Sequence, residues 1–403
     1  MILKVFLLFA CSVKALFGED LPAGVLQTAH AMTTNRDLLK NLPLYTCLAT
    51  ISRSRSERGR QKPRLSDVVH VDVGVGEDQE IYSWPGQPTF SPRGLVGLVG
   101  HGFLSTGIFE TIATDLFVSG HGIVKPAGEE KIGGRQASHF TYTVPSLESR
   151  WLINWYGAQS VLGEEGDFWV DRASYSLLRL IARANTIPPN VPLKDVTTTI
   201  DYQFLTVNGR DALLPKQAQV IAEEINGAVL QNDEAFSHCH VFEAESRLMD
   251  SSQDLDKALT RYESQRGILP AGLTLRISLR TRVHTGGASI GDPIEARLDN
   301  SLKISTETTA PRGSILKGHI REFNKQDDPP NTFAIGLEFD ELDWPGHSYV
   351  FLADISKMQP VDGLNDKVVR GLLRTPGSVA GLTYSATETF WPVPIPGTAT
   401  FFL

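Results

Sequence analysis

The sequence predicts an α+β, β-rich protein in which a domain of helices and strands precedes a small all-β barrel or sandwich. Alternating apolar and polar residues, typical of half-buried strands, recur along most of the chain. Apolar residues at helical spacing are found mainly in residues 25–42 and 94–118. Since 403 residues exceed the usual size of one domain, we expect two domains.

Residues 1–18 predict a secretory signal peptide. A short basic start ends at Lys4, and residues 5–13 form an uncharged apolar core that is too short to span a membrane. We therefore expect an exported protein of the periplasm, the outer membrane or the cell surface. The alternative is a lipoprotein signal in residues 8–11, in which Cys11 would be acylated and would anchor the chain.

The cysteines predict one disulfide. If Cys11 leaves with the signal peptide, Cys47 and Cys239 remain as a pair in an oxidising compartment, and we expect them to bond. The alternative is a metal site at residues 238–240, which read His-Cys-His. Side chains alternate along a strand, so both histidines would face away from the cysteine, and no second metal-ligand spacing supports the site. We expect neither a metal nor a cofactor.

The charge balance argues against nucleic acid as a partner. The formal net charge is −8, whereas nucleic-acid binding favours a broadly basic surface. One basic run departs from this balance, and its members are Arg53, Arg55, Arg58, Arg60, Lys62 and Arg64. We interpret the run as a solvated hairpin tip, with a contact to an anionic lipid or glycan as the alternative.

The first predicted domain covers residues 25–250. Residues 25–42 predict an amphipathic helix that Pro43 ends, with Leu26, His30, Leu38, Leu39 and Leu42 on one face. Strands are predicted at residues 45–52, 68–75, 80–83, 138–144, 167–170, 177–184, 197–204 and 236–246. Turns are predicted at residues 163–166 and at Asn208-Gly209.

Residues 94–118 predict a mobile glycine-rich segment that leads into a helix. Seven apolar residues here are candidates for lining a ligand cavity beneath a glycine-hinged lid: Leu95, Leu98, Val99, Phe103, Leu104, Ile108 and Phe109. The alternative is that they are ordinary core residues, because apolar stripes at helical spacing usually are.

A second β-rich domain is predicted at residues 269–356. Polar residues 251–268 predict a linker or linking helix before it. Its short strands are predicted at residues 273–279, 294–298, 315–321, 333–339 and 349–355, a spacing that favours a small barrel or sandwich. Residues 357–403 form a C-terminal tail with a proline-rich stretch, which can add strands.

Several segments resemble known families. Residues 42–47, 213–215 and 236–240 resemble a large set of exported proteins from Acidobacteria, and the resemblance spans most of residues 25–250. The order of one helix and then strands is similar to the LolA-like envelope fold, which implies a half-barrel with packed helices. Residues 269–275, 291–296 and 311–318 resemble the β-barrel of TrbI-type conjugation proteins. These are turn and strand signatures, which specify fold better than function.

One motif has a catalytic appearance. Residues 287–291 satisfy the GxSxG pattern of hydrolases, with Ser289 at its centre, and Asp343 and His347 follow in the order of a triad. A nucleophile elbow requires a strand, a turn and a helix, whereas here a further strand is predicted after the motif. We therefore expect a non-catalytic envelope protein that binds a lipid, a lipoprotein or an acylated ligand. The alternatives are an interaction protein with an envelope partner and a hydrolase using Ser289.

Overall fold

The computed structural model describes residues 23–42, 45–58, 63–75, 80–87, 90–91, 94–100, 102–109, 111–155, 158–207, 210–241, 267–270, 273–284, 286–326, 332–351, 369–372, 381–385 and 394–398. The predicted signal peptide with Cys11, residues 251–266 of the predicted linker and most of the tail lie outside these ranges. In the described part of the chain, no helix is long and apolar enough to cross a membrane.

The described helices are α1 Ala23–Lys40, α2 Gly94–Val99 and α3 Thr111–Ala113, which continues as a π-helix over Thr114–Ser119. The strands are β1 Tyr45–Ser56, β2 Arg64–Val75, β3 Glu80–Ser83, β4 Ile123–Ile132, β5 Arg135–Val144, β6 Leu152–Trp155, β7 Ala158–Val161, β8 Gly163–Asp171, β9 Leu177–Thr186, β10 Leu193–Val207, β11 Arg210–Glu224, β12 Val229–Val241, β13 Gly267–Ile268, β14 Thr274–Leu279, β15 Pro293–Leu298, β16 Leu302–Lys303, β17 Thr309–Ala310, β18 Ile315–Gln326, β19 Thr332–Trp344, β20 His347–Val350, β21 Val369–Leu372, β22 Gly381–Ser385 and β23 Pro394–Thr398. The prediction of a β-rich chain is confirmed.

The chain divides into two compact units. The first unit comprises Met1–Pro43 and Gly107–Ile225, and the second comprises Leu44–Thr106 and Asn226–Leu403. The predicted domain boundaries at residues 250 and 269 stay a prediction.

The sheet of the first unit has the strand order β11-β10-β9-β8-β5-β4, and its neighbours are antiparallel. One face, which we call the covered face, carries a row of fully buried residues in register: Phe140, Phe168, Leu180 and Ile200. The π-helix packs on this face, where the Phe117 and Phe168 rings meet edge to face at 5.1 Å. Burying each large apolar side chain contributes about 1.5–3 kcal/mol, so this row anchors the unit.

Helix α1 packs over the same covered face. The Gln27 amide donates to the buried Ser138 hydroxyl on β5 at 2.6 Å. Asn35 is fully buried, donates to the Tyr175 carbonyl at 2.9 Å and accepts from the Leu177 backbone N–H at 2.8 Å. The helix is confirmed, but its predicted contact face is only partly correct. Leu38, Leu39 and Leu42 are half-buried, whereas Leu26 is about half exposed and Ala31 and Asn35 are the buried residues. The hydrogen bonds of Asn35 fix the orientation of the helix, and apolar periodicity alone does not reveal them.

The predicted turn at residues 163–166 is wrong, because these residues begin strand β8. A Cβ at Gly166 would lie 1.8 Å from the Ile181 carbonyl oxygen of the neighbouring strand β9. The glycine therefore permits close approach of two strands and does not mark a reversal. The predicted Asn208-Gly209 turn lies outside the described residues, but β10 and β11 pair antiparallel on either side of it.

The second unit contains a sheet with the order β3-β2-β1-β12, whose neighbours are antiparallel. Alternate residues of β1 and β2 are buried, including Ala49, Ile51, Val69 and Val71. The predicted disulfide between Cys47 and Cys239 is confirmed, and it joins β1 to β12.

A second sheet in the same unit has the order β13-β20-β19-β18-β15-β14-β23, and β22 pairs with β19. Its pairs are antiparallel except for the parallel pair of β13 and β20. Strands occur at the positions predicted for residues 273–279, 294–298, 315–321 and 333–339. The strand predicted at residues 349–355 overlaps β20 only at residues 349–350, and residues 352–355 lie outside the described residues. Strands β21, β22 and β23 belong to the C-terminal tail.

Candidate functional site

Four polar side chains lie together in the interior of the first unit. Asp115 comes from the π-helix, Tyr142 from β5, Glu164 from β8 and Tyr202 from β10. Asp115 and Glu164 are fully buried, and both tyrosines are buried as well. We call this group the acid–tyrosine cluster. Buried polar groups normally have hydrogen-bond partners, so the partners of each member indicate what the cluster can bind.

Asp115 has its partners within the protein. The Arg150 backbone N–H donates to one carboxylate oxygen, and the Arg150 guanidinium donates to the other, each at 2.6 Å. The Arg150 side chain is about half exposed, so it carries its charge at the edge of the unit. Both side-chain oxygens of Asp115 are thus paired within the protein, and we assign Asp115 a structural role.

Glu164 is only partly paired. The Tyr142 hydroxyl donates to Oε2 of Glu164 at 3.4 Å, whereas Oε1 is buried without a hydrogen-bond partner among the described residues. Burial is the main cause that raises the pKa of Glu164 to about 8, and the nearby charge of Asp115 raises it further. The carboxyl group is therefore mostly protonated at neutral pH and can donate a hydrogen bond.

Tyr202 is the second member with an unused polar atom. Its hydroxyl oxygen is buried and has no hydrogen-bond partner in the described part of the structure. Burial raises the pKa of Tyr202, so the phenol stays neutral and remains a donor. Tyr202 lies close enough to Tyr142 to influence its pKa. Leaving a buried donor or acceptor unpaired costs about 1–3 kcal/mol, which favours a ligand that pairs with it.

A second buried carboxyl, Glu234, has a different environment. It lies on β12 of the second unit and accepts a hydrogen bond from the Ser105 hydroxyl. Asn232 donates to Ser105 at 2.9 Å and to the Phe103 carbonyl at 3.3 Å. Burial raises the pKa of Glu234 to about 8, as for Glu164. This carboxyl holds residues 102–106 against the sheet, so its role is structural.

Arg53 is not part of a solvated hairpin tip, because it is buried and forms an ion pair with Asp67. Two nearly parallel hydrogen bonds of 2.6 and 2.7 Å join them. Arg55, Arg58 and Arg64 of the same basic run are exposed. Arg60 and Lys62 lie outside the described residues. The interpretation of this run as solvated is wrong for Arg53, because the cross-strand pairing of β1 with β2 sets Arg53 opposite Asp67.

The seven apolar residues predicted to line a cavity are divided between the units. Leu95, Leu98 and Val99 are buried on α2, and Phe103 and Leu104 are half-buried in the loop that follows. Ile108 and Phe109 are buried in the first unit. That these residues contact a ligand stays a prediction.

Ser289 lies in a segment that pairs with the edge of β2 and not in a strand–turn–helix elbow. The Ile290 N–H donates to the Val68 carbonyl at 2.8 Å, and the His70 N–H donates to the Ile290 carbonyl at 2.7 Å. Ser289 is buried, with 5% of its surface exposed, and its N–H donates to Asp292. Among the described residues, no hydrogen bond joins the Ser289 hydroxyl to a histidine.

Asp343 and His347 do not join Ser289. Gly291 bonds to Ile320 of β18, whereas Asp343 pairs with Ile315 of the same strand. Five residues of strand separate these positions, or about 16 Å at about 3.3 Å per residue. Asp343 forms an ion pair with Lys317 at 2.5 Å. Residues 287–291, which match the GxSxG pattern, therefore dock on β2 through Ile290 and do not belong to an assembled triad. We call these residues the docking segment.

The histidines around Cys239 do not form a metal site. Cys239 is bonded to Cys47, and His240 contacts the Thr46 hydroxyl at 3.1 Å. In the part of the chain that the structure describes, no group of three or more histidine, cysteine or acidic residues can hold a metal ion.

No protein-family model matches the chain, and no curated protein matches it. Solved structures are similar at low identity. A DUF1329 family protein from Desulfovibrio piger is 12% identical, with 57% of this chain and 98% of that chain covered and a TM-score of 0.30. A putative outer membrane lipoprotein-sorting protein domain from Vibrio parahaemolyticus is 10% identical, with 59% and 97% covered and a TM-score of 0.28.

The lipoprotein LppX from Mycobacterium tuberculosis is 11% identical, with 52% of this chain and 96% of that chain covered and a TM-score of 0.21. At these TM-scores the likeness does not define a function. The acidobacterial and TrbI-type resemblances stay predictions.

Sequence reasoning missed the acid–tyrosine cluster. The predicted turn at residues 163–166 removed Glu164 from consideration, although it begins a strand. Asp115 is a single acid in an apolar stretch between Ile112 and Val118, and that isolation is the one available signal. The two tyrosines lie in ordinary strand patterns and gave none.

Proposed function

We propose that the protein is a non-catalytic cell-envelope protein that binds a lipid or an acylated ligand at the acid–tyrosine cluster of the first unit. One observation carries this proposal: the Tyr202 hydroxyl and Oε1 of Glu164 are buried without hydrogen-bond partners among the described residues. Both belong to a unit whose interior is otherwise largely aromatic and aliphatic. A ligand with an apolar body and a small polar group fits that combination.

The protonation states of the cluster residues indicate which polar group the ligand carries. Neutral Glu164 and neutral Tyr202 both present O–H donors, while Asp115 is already paired with Arg150. Two donors favour an acceptor such as the carbonyl of an ester or an amide. They do not compensate a full negative charge in a buried setting. We therefore favour an ester- or amide-linked acyl group over an ionised fatty acid.

The disulfide supports the proposed location. Disulfides persist in oxidising compartments, which agrees with export to the periplasm or the cell surface. This proposal includes three alternative locations. The protein is retained in the periplasm, associates with the outer membrane or, if the lipoprotein signal is used, is anchored through Cys11. Cell fractionation of the protein and of a Cys11→Ala variant separates them, because only an acylated chain would lose its membrane association in the variant.

Ligand binding can be tested on the purified full chain. Lipids would be extracted with organic solvent and identified by mass spectrometry, and binding of a fluorescent acyl ester would be titrated. We expect Tyr202→Phe and Glu164→Leu to weaken binding of the ester about fivefold or more each, since each removes one hydrogen-bond donor and one hydrogen bond is worth about 1 kcal/mol.

Matched controls exist in the second unit. Tyr82→Phe removes a buried hydroxyl, and Glu234→Leu removes a buried carboxyl whose pKa is also raised to about 8. Both controls should bind the ester as the wild type does. A wild-type protein that carries no lipid and ignores the ester, or an equal loss in all four variants, would refute the proposal.

A further inference from the structure

An open cleft on the first unit combines positive charge with an apolar wall. Its volume is about 380 Å³, and residues of the β4–β5 hairpin and of β9, β10 and β11 line it. Arg179 and Asp201 alternate along their strands with Leu180 and Ile200, which are buried on the covered face. The side chains of Arg179 and Asp201 therefore lie on the opposite face of the sheet. Tyr202 of the acid–tyrosine cluster also lines the cleft, but this inference does not rest on the proposed function.

The cationic side chains of the cleft differ in their hydrogen bonds and ion pairs. Arg179 forms two hydrogen bonds with Asp201, at 2.5 and 2.9 Å, and Gln217 donates to the same carboxylate at 2.8 Å. This network holds the guanidinium in place and leaves Arg179 N–H donors unused, because a guanidinium has five. Three hydrogen bonds also satisfy Asp201, and the bonds from Arg179 and Gln217 lower its pKa against the opposing effect of burial.

Arg135 and Lys216 complete the positive charge. Both side chains are exposed, and neither forms an ion pair within 4 Å among the described residues. Arg135 interacts electrostatically with Asp171, and Lys216 interacts electrostatically with Asp201, in each case without direct contact. Three cations and one carboxylate line the cleft, which gives a net charge of +2 (3 − 1).

The remaining wall is apolar. Phe204 is 43% exposed and Leu178 is buried beneath the cleft. Phe204 thus offers an exposed apolar ring in the same cleft as Arg135, Arg179 and Lys216. Together these features fit a compact anion that carries an apolar substituent.

We infer that this cleft binds a phosphomonoester through Arg135, Arg179 and Lys216, with Phe204 and Leu178 contacting its organic substituent. A phosphomonoester carries a charge of about −1.5 to −2 at neutral pH, which matches the net charge of the cleft. Arginine forks and a lysine ammonium are the usual protein donors to phosphate oxygens. The phosphate belongs either to a soluble ester or to a lipid headgroup.

Calorimetric titration of the full chain tests the site with three probes: inorganic phosphate, phenyl phosphate, and vesicles of phosphatidylcholine with and without phosphatidic acid. The test variant is Arg135→Ala/Lys216→Ala. The control variant, Lys125→Ala/Lys303→Ala, removes two exposed lysines elsewhere. We expect the test variant to weaken phosphate binding at least tenfold and the control to leave it within twofold.

The probes separate the two sources of phosphate. Saturable binding of phenyl phosphate indicates a soluble ester, and Phe204→Ser should weaken it without changing the binding of inorganic phosphate. Binding confined to vesicles with phosphatidic acid indicates a lipid headgroup. No binding of any probe, or equal weakening in the test and control variants, would overturn the inference, because general surface charge would then explain the result.

Discussion

The Nδ1 atom of His70 lies 2.7 Å from Oδ1 of Asp292, and this contact joins β2 to the segment that leads into β15. The two residues belong to different predicted domains, yet the structure places both in the second unit. The contact lies beside the pairing of Ile290 with the free edge of β2, beyond the end of its pairing with β3. An otherwise open strand edge is thereby covered, which protects it from pairing with other chains.

Gly291 is the residue of the docking segment at which we expect a substitution to destabilise the protein most. Its φ is +94°, and a Cβ would lie 2.1 Å from the His70 carbonyl oxygen and 2.9 Å from the Trp84 ring. We expect Gly291→Ala to lower the free energy of unfolding by about 3 kcal/mol or more, measured by urea denaturation. Gly313→Ala is the matched control, because Gly313 has a φ of +91° but no atom within 4 Å of its Cβ position. Equal destabilisation by both variants would contradict a steric role for the docking contact.

Asp292 and Ser289 distinguish docking from catalysis. Asp292 bonds to His70 and accepts from the Ser289 N–H at 2.8 Å, so Asp292→Ala should destabilise the protein by about 2 kcal/mol. Ser289→Ala keeps that backbone bond and should change stability by less than about 1 kcal/mol. Any esterase activity of the preparation should survive Ser289→Ala. Loss of activity in this variant, with stability retained, would restore the hydrolase hypothesis.

The features that the sequence predicts correctly depend on neighbouring residues, whereas the features that it misses depend on contacts between residues distant in sequence. Strand positions such as those of β14 and β15 follow from the alternation of neighbouring residues, which is local. The docking of Ile290 on β2 and the ion pair of Arg53 with Asp67 depend on which strands become neighbours. A GxSxG pattern and a basic run have the same local appearance whether they are exposed, docked or buried.

The same contrast between local and long-range features applies to the disulfide and the candidate site. Cysteine counting was sufficient for the disulfide because only two cysteines remain after the predicted signal peptide. The acid–tyrosine cluster is assembled from four elements between residues 115 and 202, and none of its members forms a motif with another. Glu164 in particular was concealed by the glycines on either side, which suit close packing of β8 as well as they suit a turn.

The disulfide should contribute strongly to stability. Cys47 and Cys239 are 192 residues apart in sequence, and closing a loop of this length removes about 5 kcal/mol of unfolded-state entropy in the chain model. We expect reduction with dithiothreitol to lower the midpoint of urea unfolding substantially. The Cys47→Ala/Cys239→Ala variant should match the reduced protein and should be insensitive to the reductant. A shift of the variant by dithiothreitol would indicate that another cysteine is involved.

The two buried carboxyls predict an unusual dependence of stability on pH. The folded-state pKa values of Glu164 and Glu234 are raised to about 8, above the ordinary glutamate pKa of 4.5. The folded protein then binds more protons than the unfolded chain between these values. Stability is therefore fully present below about pH 4.5 and falls as the pH rises towards 8.

Urea unfolding at pH 6 and at pH 8 should show this fall in the wild type, on the order of 1 kcal/mol per pH unit for each carboxyl. Glu164→Gln and Glu234→Gln should each remove part of the slope, because glutamine does not titrate. Glutamine at position 164 keeps an N–H donor, so loss of ester binding is expected for Glu164→Leu and not for Glu234→Leu, since the hydrogen bond of Glu234 is already made with Ser105. A slope that both variants leave unchanged would show that these carboxyls are ionised in the folded protein, which would remove the donor that the proposed site requires.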